Sequence, residues 1–278
     1  MGDLTIVVDT FMMPKPGAAL CQAAEELTGR KPRLVVLTHS HQDHWGGAQS
    51  FSSAILAASA NARAVMLEDA SEYEEWKDDT SELEDGIKST EAALATEQDP
   101  DQRTSLEERL ARDRGILSEL PTLTCRIPEL TLSSMTFHGS RRIAEIRALE
   151  MGHTDSDVTI ELPDDGIVIC GDLAFFDTQP FMWDGAPEPW MAWLQQMEAS
   201  AYETFMPGHG PVGGKAQLAL LRQYIETLSG LVSDQVKQGN PVEQALELKL
   251  PEPFSTWQAT EAKRFEINVR ALHNHFSE

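Results

Sequence analysis

The feature that most restricts what this chain can fold into is a six-residue segment with four side chains able to bind a metal ion: His39, His41, Asp43 and His44. It directly follows Arg33–Leu37, an apolar and β-branched run that predicts a buried strand. Residues two apart on an extended chain point to the same side, so we expect His39 and His41 to face one position. We expect Asp43 and His44 to begin a helix and turn back towards them.

The types of donor in this segment favour a catalytic metal site over a structural one. Structural zinc usually recruits cysteine thiolates and closes all four of its positions. The chain has three cysteines, Cys21, Cys125 and Cys170, which are far apart and form no CxxC pair. They predict free thiols rather than a thiolate site or a disulfide framework. Imidazole and carboxylate ligands are typical of sites that keep positions open for water.

Three further metal-binding candidates occur at loops beside predicted strands. They are His153 in MGHTDSD, Asp172 in ICGDLAF and His209 in MPGHGP. Each stands next to a glycine, which lets the backbone approach other groups closely. Taken with the first segment, they supply enough donors for two metal positions.

The motifs HSHQDH, GHTDSD, GD and PGHG, in this order, resemble those of the metallo-β-lactamase superfamily. The resemblance covers nearly the whole chain. It implies an α+β four-layer αβ/βα sandwich, in which two mixed sheets pack face to face, helices lie outside and the metals bind at one edge. The chain looks most like the lactamase-like dinuclear zinc hydrolases that have a C-terminal helical extension.

The resemblance also implies which residues bind two divalent metal ions, with zinc favoured and iron or manganese as alternatives. The first metal would be held by His39, His41 and His153, and the second by Asp43, His44 and His209. Asp172 would bridge both metals, and it is expected to be catalytic together with Asp43. Asp9 matches the acid that hydrogen-bonds within the metal-binding loop of the family.

The implied reaction is hydrolysis. Two cations about 3.5–4 Å apart lower the pKa of a shared water, and the resulting bridging hydroxide attacks an ester, thioester, lactone or lactam carbonyl. Asp172 argues against the typical lactamases, which usually carry a cysteine or a non-ligand there, but a β-lactamase proper stays open. The second alternative is an iron-dependent persulfide dioxygenase, which binds one iron on the same fold. A third is a non-enzymatic scaffold or sensor that retains the site.

Composition restricts the partners and the compartment. The net charge of −23 repels phosphate backbones, so we expect a small-molecule substrate and no nucleic acid. No stretch approaches the roughly 20 apolar residues that span a bilayer, so no membrane partner is expected. The first residues lack the pattern of a signal peptide. We therefore expect a cytoplasmic protein, although a trimmed periplasmic leader stays open.

The chain is expected to form a single domain over residues 1–278, with an acidic insertion at 68–119 and a C-terminal helical extension at 239–278. The sequence pattern of the insertion predicts an antiparallel hairpin of two helices, with the turn at Asp99-Pro100. Within each predicted helix its apolar residues recur at steps of four or seven: Trp76, Leu83, Ile87 and Leu94 before the turn, and Leu106, Leu110 and Leu117 after it. A solvated hairpin, a lid over the site and a homodimerisation arm all fit this pattern.

Two more patterns bear on the site and the sheets. Aromatic residues at the base of the insertion and after Asp172 fit either a core or an apolar substrate pocket: Tyr73, Trp76, Phe175, Phe176, Phe181, Trp183. After Pro121, strand signals resume, and Leu130–Phe137 predicts one continuous strand.

Overall fold

The computed structural model describes residues 2–257 and 263–277, within which the strands form two sheets. The first sheet holds four parallel strands in chain order: β1 Ile6–Val8, β2 Leu34–Val36, β3 Ile55–Ala58, β4 Leu130–Thr131. The second sheet also follows chain order: β5 Ser134–His138, β6 Ile143–Ala148, β7 Val158–Leu162, β8 Ile167–Phe175, β9 Thr204–His209. Its first four strands are antiparallel, and β9 joins β8 in parallel.

Helices connect and cover the strands. In the part of the chain that the structure describes they are α1 Pro14–Thr28, α2 Gln42–Trp45, α3 Ala60–Asp78, α4 Ser81–Thr96, α5 Pro100–Glu119, α6 Pro187–Ala199, α7 Lys215–Lys237, α8 Val242–Ala245, α9 Arg264–Ser277. Helix α1 begins with proline, whose fixed φ suits a first turn, and ends at Gly29 in the left-handed conformation. None of these helices combines the length and the apolar character that crossing a membrane requires.

Alternation along the strands explains why the two sheets and the helices form layers. Leu34 and Val36 pack between the sheets, against residues such as Ile146 of β6. Val35, which lies between them in the sequence, packs in a separate cluster with Met66 of α3. Successive side chains of a strand point to opposite faces, so both faces of the first sheet are apolar.

The outer face of the second sheet is covered in the same way. Strands β8 and β9 pack on this face against helices α6, α7 and α9, with Trp190, Leu221 and Leu272 as buried contacts. The order from outside to outside is therefore helix, sheet, sheet, helix. This is the predicted α+β four-layer αβ/βα sandwich, and the prediction is confirmed.

The prediction of one strand over Leu130–Phe137 was wrong. Residues 130–131 pair with β3 in the first sheet, whereas residues 134–138 pair with β6 in the second. The backbone N–H of Leu132 donates to Ala58 in one sheet, and Ser133 accepts from Ala148 in the other. The chain crosses between the sheets at these two residues, and this change of partner ends the strand.

The segment between β3 and β4 is helical, but the first arm of the hairpin predicted at 68–119 is divided between α3 and α4. The first predicted helix breaks at Asp79-Thr80, so Trp76 lies on α3 while Ile87 lies on α4. Asp79 accepts a hydrogen bond from the backbone N–H of Ser81, a local bond of the kind that competes with continuing a helix. Helices α4 and α5 do turn back on each other before Pro100. The description of 68–119 as an insertion and of 239–278 as an extension stays a prediction.

Candidate metal centre

The loop after β2 carries the first four candidate ligands. The chain leaves the sheet at Thr38, and His41 immediately precedes the short helix α2. The indole N–H of Trp45 at the end of α2 donates to the carbonyl of Ser40 across 2.8 Å. Trp45 is itself buried beneath the loop. The loop is therefore held from below, and its histidines and Asp43 are turned towards the second sheet.

Four of the predicted ligands surround a first position. One donor atom from each lies within 4.8 Å of the others: His39, His41, His153 and Asp172. Nε2 of His153 lies 3.0 Å from Nδ1 of His41 and 3.5 Å from Oδ2 of Asp172. Nε2 of His39 lies 3.8 Å from the same carboxylate oxygen. Three imidazoles and one carboxylate thus face a common point.

The remaining predicted ligands surround a second position beside the first. The donor atoms of Asp43, His44 and His209 also lie within 4.8 Å of one another. Nε2 of His209 is 3.1 Å from Oδ2 of Asp43 and 3.4 Å from Oδ2 of Asp172. Nε2 of His44 is 3.2 Å from Oδ1 of Asp172. Asp172 therefore borders both positions with one carboxylate.

Asp9 lies directly behind the loop. Its carboxylate accepts from the backbone N–H and the hydroxyl of Thr38, both at 2.8 Å. It also lies 2.8 Å from Nδ1 of His44, which leaves Nε2 of that ring for the second position. Asp9 has φ 57°, a left-handed conformation that is costly for a residue with a side chain. Asp9 thus contacts the loop from behind, and its role at the site stays a prediction.

The electrostatics of the two positions differ. Burial lowers the pKa of His39 well below its usual value and lowers that of His153 to about 3, so both rings are neutral at neutral pH. Burial opposes charge on His44 as well, but Asp172 and Asp9 raise its pKa well above the usual value. Despite burial, His44 and His209 hold the pKa of Asp172 well below its usual range. The carboxylate between the two positions is therefore ionised.

These residues fit divalent cations. Buried polar atoms that have no hydrogen-bond partner point into the two positions: Nε2 of His39, Nε2 of His44 and Oδ1 of Asp172. A buried polar atom without a partner is costly, and cations at the two positions would satisfy all three atoms. Imidazole and ionised carboxylate together are the donor set that zinc and similar divalent ions accept.

Comparison with known families agrees with this geometry. The family model described as the metallo-beta-lactamase superfamily matches residues 2–209, which is most of the chain. The chain belongs to the metallo-β-lactamase superfamily. Most members of this superfamily are metal-dependent hydrolases, and the cluster of histidines and aspartates lies where a metal would bind. No curated protein sequence matches the chain significantly.

Several solved structures of other proteins have a similar fold. The metallo-β-lactamase FIM-1 from Pseudomonas aeruginosa, in a mono-zinc form, is 18% identical and has a TM-score of 0.53; the match covers 81% of this chain and 80% of that one. A metallo-β-lactamase from Pontibacter korlensis is 16% identical with a TM-score of 0.55, over 80% and 81% of the two chains. The sec-alkylsulfatase Pisa1 from Pseudomonas sp. is 15% identical with a TM-score of 0.67, over 99% of this chain and 46% of that one. At these identities the similarity concerns the fold.

The six aromatic residues proposed from the sequence as a substrate pocket occupy different environments. Tyr73, Phe175 and Phe176 are at most 2% exposed, and they pack in the two helix-facing cores of the superfamily fold. Phe175 also stacks on the ring of His209. Trp76 is half-buried against Tyr73. Phe181 is half-buried, with its ring 5.5 Å from that of His41, whereas Trp183 is exposed.

Sequence reasoning missed two acids that contact a predicted ligand or the residue next to one. Asp184 lies 2.9 Å from Nε2 of His41, and Asp157 accepts hydrogen bonds from the backbone N–H and the hydroxyl of Thr154, next to His153. Asp157 is the last residue of the GHTDSD motif, so its motif position was a usable signal. Asp184 is one of two acids in the aromatic-rich segment PFMWDGAPEPW, which is a weaker signal.

Replacing Gly208 with alanine is expected to disrupt the centre although none of the predicted ligands is itself replaced. A Cβ at this position would overlap Oδ1 of Asp172 and lie 3.0 Å from the carbonyl carbon of Gly171. The carboxylate would have to move, so we expect Gly208→Ala to bind less zinc per chain than the wild type. Elemental analysis measures this amount. Gly86→Ala is the control, because a Cβ there meets nothing within 4 Å and a helical alanine stabilises by about 0.5–1 kcal/mol. Equal zinc content in both variants would contradict the expectation.

Proposed function

We propose that this protein is a dinuclear metal-dependent hydrolase that cleaves a small, neutral acyl substrate. The observation that carries the proposal is the shared carboxylate of Asp172. Its Oδ2 lies within 3.8 Å of nitrogens from His39, His153 and His209, and its Oδ1 lies 3.2 Å from His44. One ionised group placed between two complete sets of donors supports two cations rather than one.

When bound, two such cations supply Lewis acidity and an activated water at neutral pH. The chain itself contributes position and charge. Asp172 would hold both cations at a fixed spacing, and Asp43 would hold the second one with His44 and His209. The side chain of Asp43 is 43% exposed, so the second position is reached from solvent on this side. We propose Asp43 and Asp172 as the catalytic carboxylates.

Zinc is the proposed native metal, with iron or manganese as the alternatives. Five imidazoles and two carboxylates would divide into two sets that each keep room for water, which is typical of catalytic zinc. The persulfide dioxygenase alternative requires a single iron, and the second group of Asp43, His44 and His209 favours two metals. Cytoplasmic localisation and a homodimer formed through residues 68–119 stay predictions.

The substrate is proposed to be an ester, thioester, lactone or lactam with an apolar group near the scissile bond. Phe181 lies against His41, and Trp183, on the same loop, is 55% exposed. An apolar group bound there would lie beside the first metal position. The net charge of −23 disfavours polyanionic substrates. A sulfate ester is the second candidate, because the alkylsulfatase match extends over 99% of this chain and includes the helices between β3 and β4.

The test combines metal analysis with a substrate panel on one preparation. We expect two zinc equivalents per chain and turnover of at least one acyl substrate among a lactone, a thioester, an ester and a β-lactam, assayed beside a secondary alkyl sulfate. The Asp172→Ala variant, purified in parallel, controls for contaminating hydrolases. One iron per chain with no hydrolysis would favour the dioxygenase. Full zinc loading without turnover of any substrate would contradict the proposed activity.

A further inference from the structure

One ring nitrogen of His41 contacts a carboxylate that lies outside the four ligand motifs. Nε2 of His41 lies 2.9 Å from Oδ2 of Asp184, while Nδ1 faces the first metal position, 3.0 Å from Nε2 of His153. The two ring nitrogens therefore have different partners. One meets an acceptor from the loop after β8, and the other meets the proposed ligands.

The contact with Asp184 determines which nitrogen of His41 carries the proton. A neutral imidazole has one N–H and one lone pair, and an ionised carboxylate only accepts hydrogen bonds. Nε2 must therefore donate to Asp184, which leaves the lone pair of Nδ1 directed at the metal position. The other candidate histidines present Nε2 instead; in His39 and His44, Nδ1 meets Thr38 and Asp9.

His41 depends on such a contact more than the other ligands of the first position do. The rings of His39 and His153 are fully buried, so packing alone restricts their rotation, whereas the His41 side chain is 20% exposed. His41 also lies at the end of a loop, just before α2. Phe181 covers part of its ring edge-on, but a ring contact does not choose between the two nitrogens.

Asp184 is itself held in place by the following residues. The backbone N–H of Ala186 donates to the carbonyl of Gly152 across 3.1 Å. A Cβ on Gly185 would come within 2.8 Å of the carbonyl oxygens of Gly152 and His153. The two segments of backbone therefore approach as closely as glycine allows. The segment that carries Asp184 is therefore docked on the loop that carries His153. Two ligands of one metal position are fixed by the same contact.

We propose that Asp184 is a positioning residue that orients His41 and fixes its tautomer for the first metal ion. The proposal rests on the proposed function, since it assumes that a cation binds at this position. Outer partners of this kind typically contribute about 10–100-fold to metal affinity. The side-chain hydrogen bond of Asp184 is to His41, so its main effect should pass through that ring.

Zinc affinity provides the first test. Asp184→Ala is expected to weaken one of two zinc equivalents by about 10–100-fold in competition with a chromophoric chelator. Asp184→Asn retains a carbonyl acceptor and should recover much of this loss. Asp177→Asn is the matched control, since Asp177 is an exposed acid on the same loop and its replacement changes the net charge equally. Circular dichroism would verify that all three variants are folded.

The tautomer provides the second test, and it does not depend on metal. The ¹⁵N shifts of His41 in the metal-free wild type should show a protonated Nε2 and an unprotonated Nδ1. Asp184→Ala should give a mixture of tautomers. Unchanged zinc affinity and unchanged nitrogen shifts in this variant would overturn the role of Asp184 and leave the proposed function standing. A wild type that binds no zinc would overturn the proposed function, and the nitrogen shifts would still decide the tautomer.

Discussion

Asp172→Ala is expected to reduce bound zinc from two equivalents to at most one and to lower turnover by more than about 100-fold, the upper range for loss of a mere outer partner. The reason is geometric. The carboxylate borders both metal positions, and its side chain is 3% exposed, so solvent does not easily replace it. Removing it also takes away the nearer of the two carboxylates that face Nε2 of His44, and the carboxylate of Asp43 remains at 3.5 Å. Elemental analysis and steady-state kinetics on the same sample measure both effects.

A matched control separates this loss from a general effect of charge. Asp85→Ala removes one acid from helix α4, where the side chain is 74% exposed and pairs with Lys88. We expect it to retain two zinc equivalents and wild-type turnover, because an exposed ion pair contributes little. If Asp172→Ala behaved like Asp85→Ala in both measurements, the shared carboxylate would have no role in binding metal, and the dinuclear proposal would fail.

The four sequence motifs predicted the family, and the resemblance to that family implied the layered fold. The apolar run in Arg33–Leu37 predicts a strand with two apolar faces. In the structure one face packs between the two sheets and the other packs against helices. The structure also brings the seven candidate side chains into two adjacent groups, although they are spread from residue 39 to residue 209. Their roles as ligands stay predictions. Four of the seven lie in one segment, and that concentration is what made the site visible.

What the sequence did not predict depends on contacts made across the fold. The strand predicted at Leu130–Phe137 is locally continuous, and only the change of pairing partner at residues 132–133 divides it. Asp184 becomes important because Ala186 docks on Gly152, which no local pattern encodes. Contacts across the fold also decide which of the aromatic residues proposed for a substrate pocket are buried. Phe176 follows directly on β8, yet it is 1% exposed and packs in the core, whereas Trp183 on the same loop remains accessible.

Removing the cations is expected to lower the melting temperature by roughly 5–10 °C. A ligand present at 100 times its Kd stabilises a fold by about 2.7 kcal/mol, and each kcal/mol shifts Tm by about 2–4 °C in a chain of nearly this size. The chain should nevertheless stay folded. Asp172 and Asp9 raise the pKa of His44, so a proton on this ring can balance part of the buried negative charge. Calorimetry of the chelated and the zinc-repleted protein measures the difference.

The same variant that removes the shared carboxylate tests whether this shift arises at the centre. With Asp172→Ala, chelation should change Tm by much less, because the variant has little zinc to lose. Buried atoms such as Nε2 of His39 then lack a metal with or without the chelator. A wild type whose Tm is unchanged after verified zinc removal would mean that the cluster is already stable without cations. An equal shift in the wild type and the variant would place the stabilising metal elsewhere on this acidic surface, where a net charge of −23 offers weaker sites.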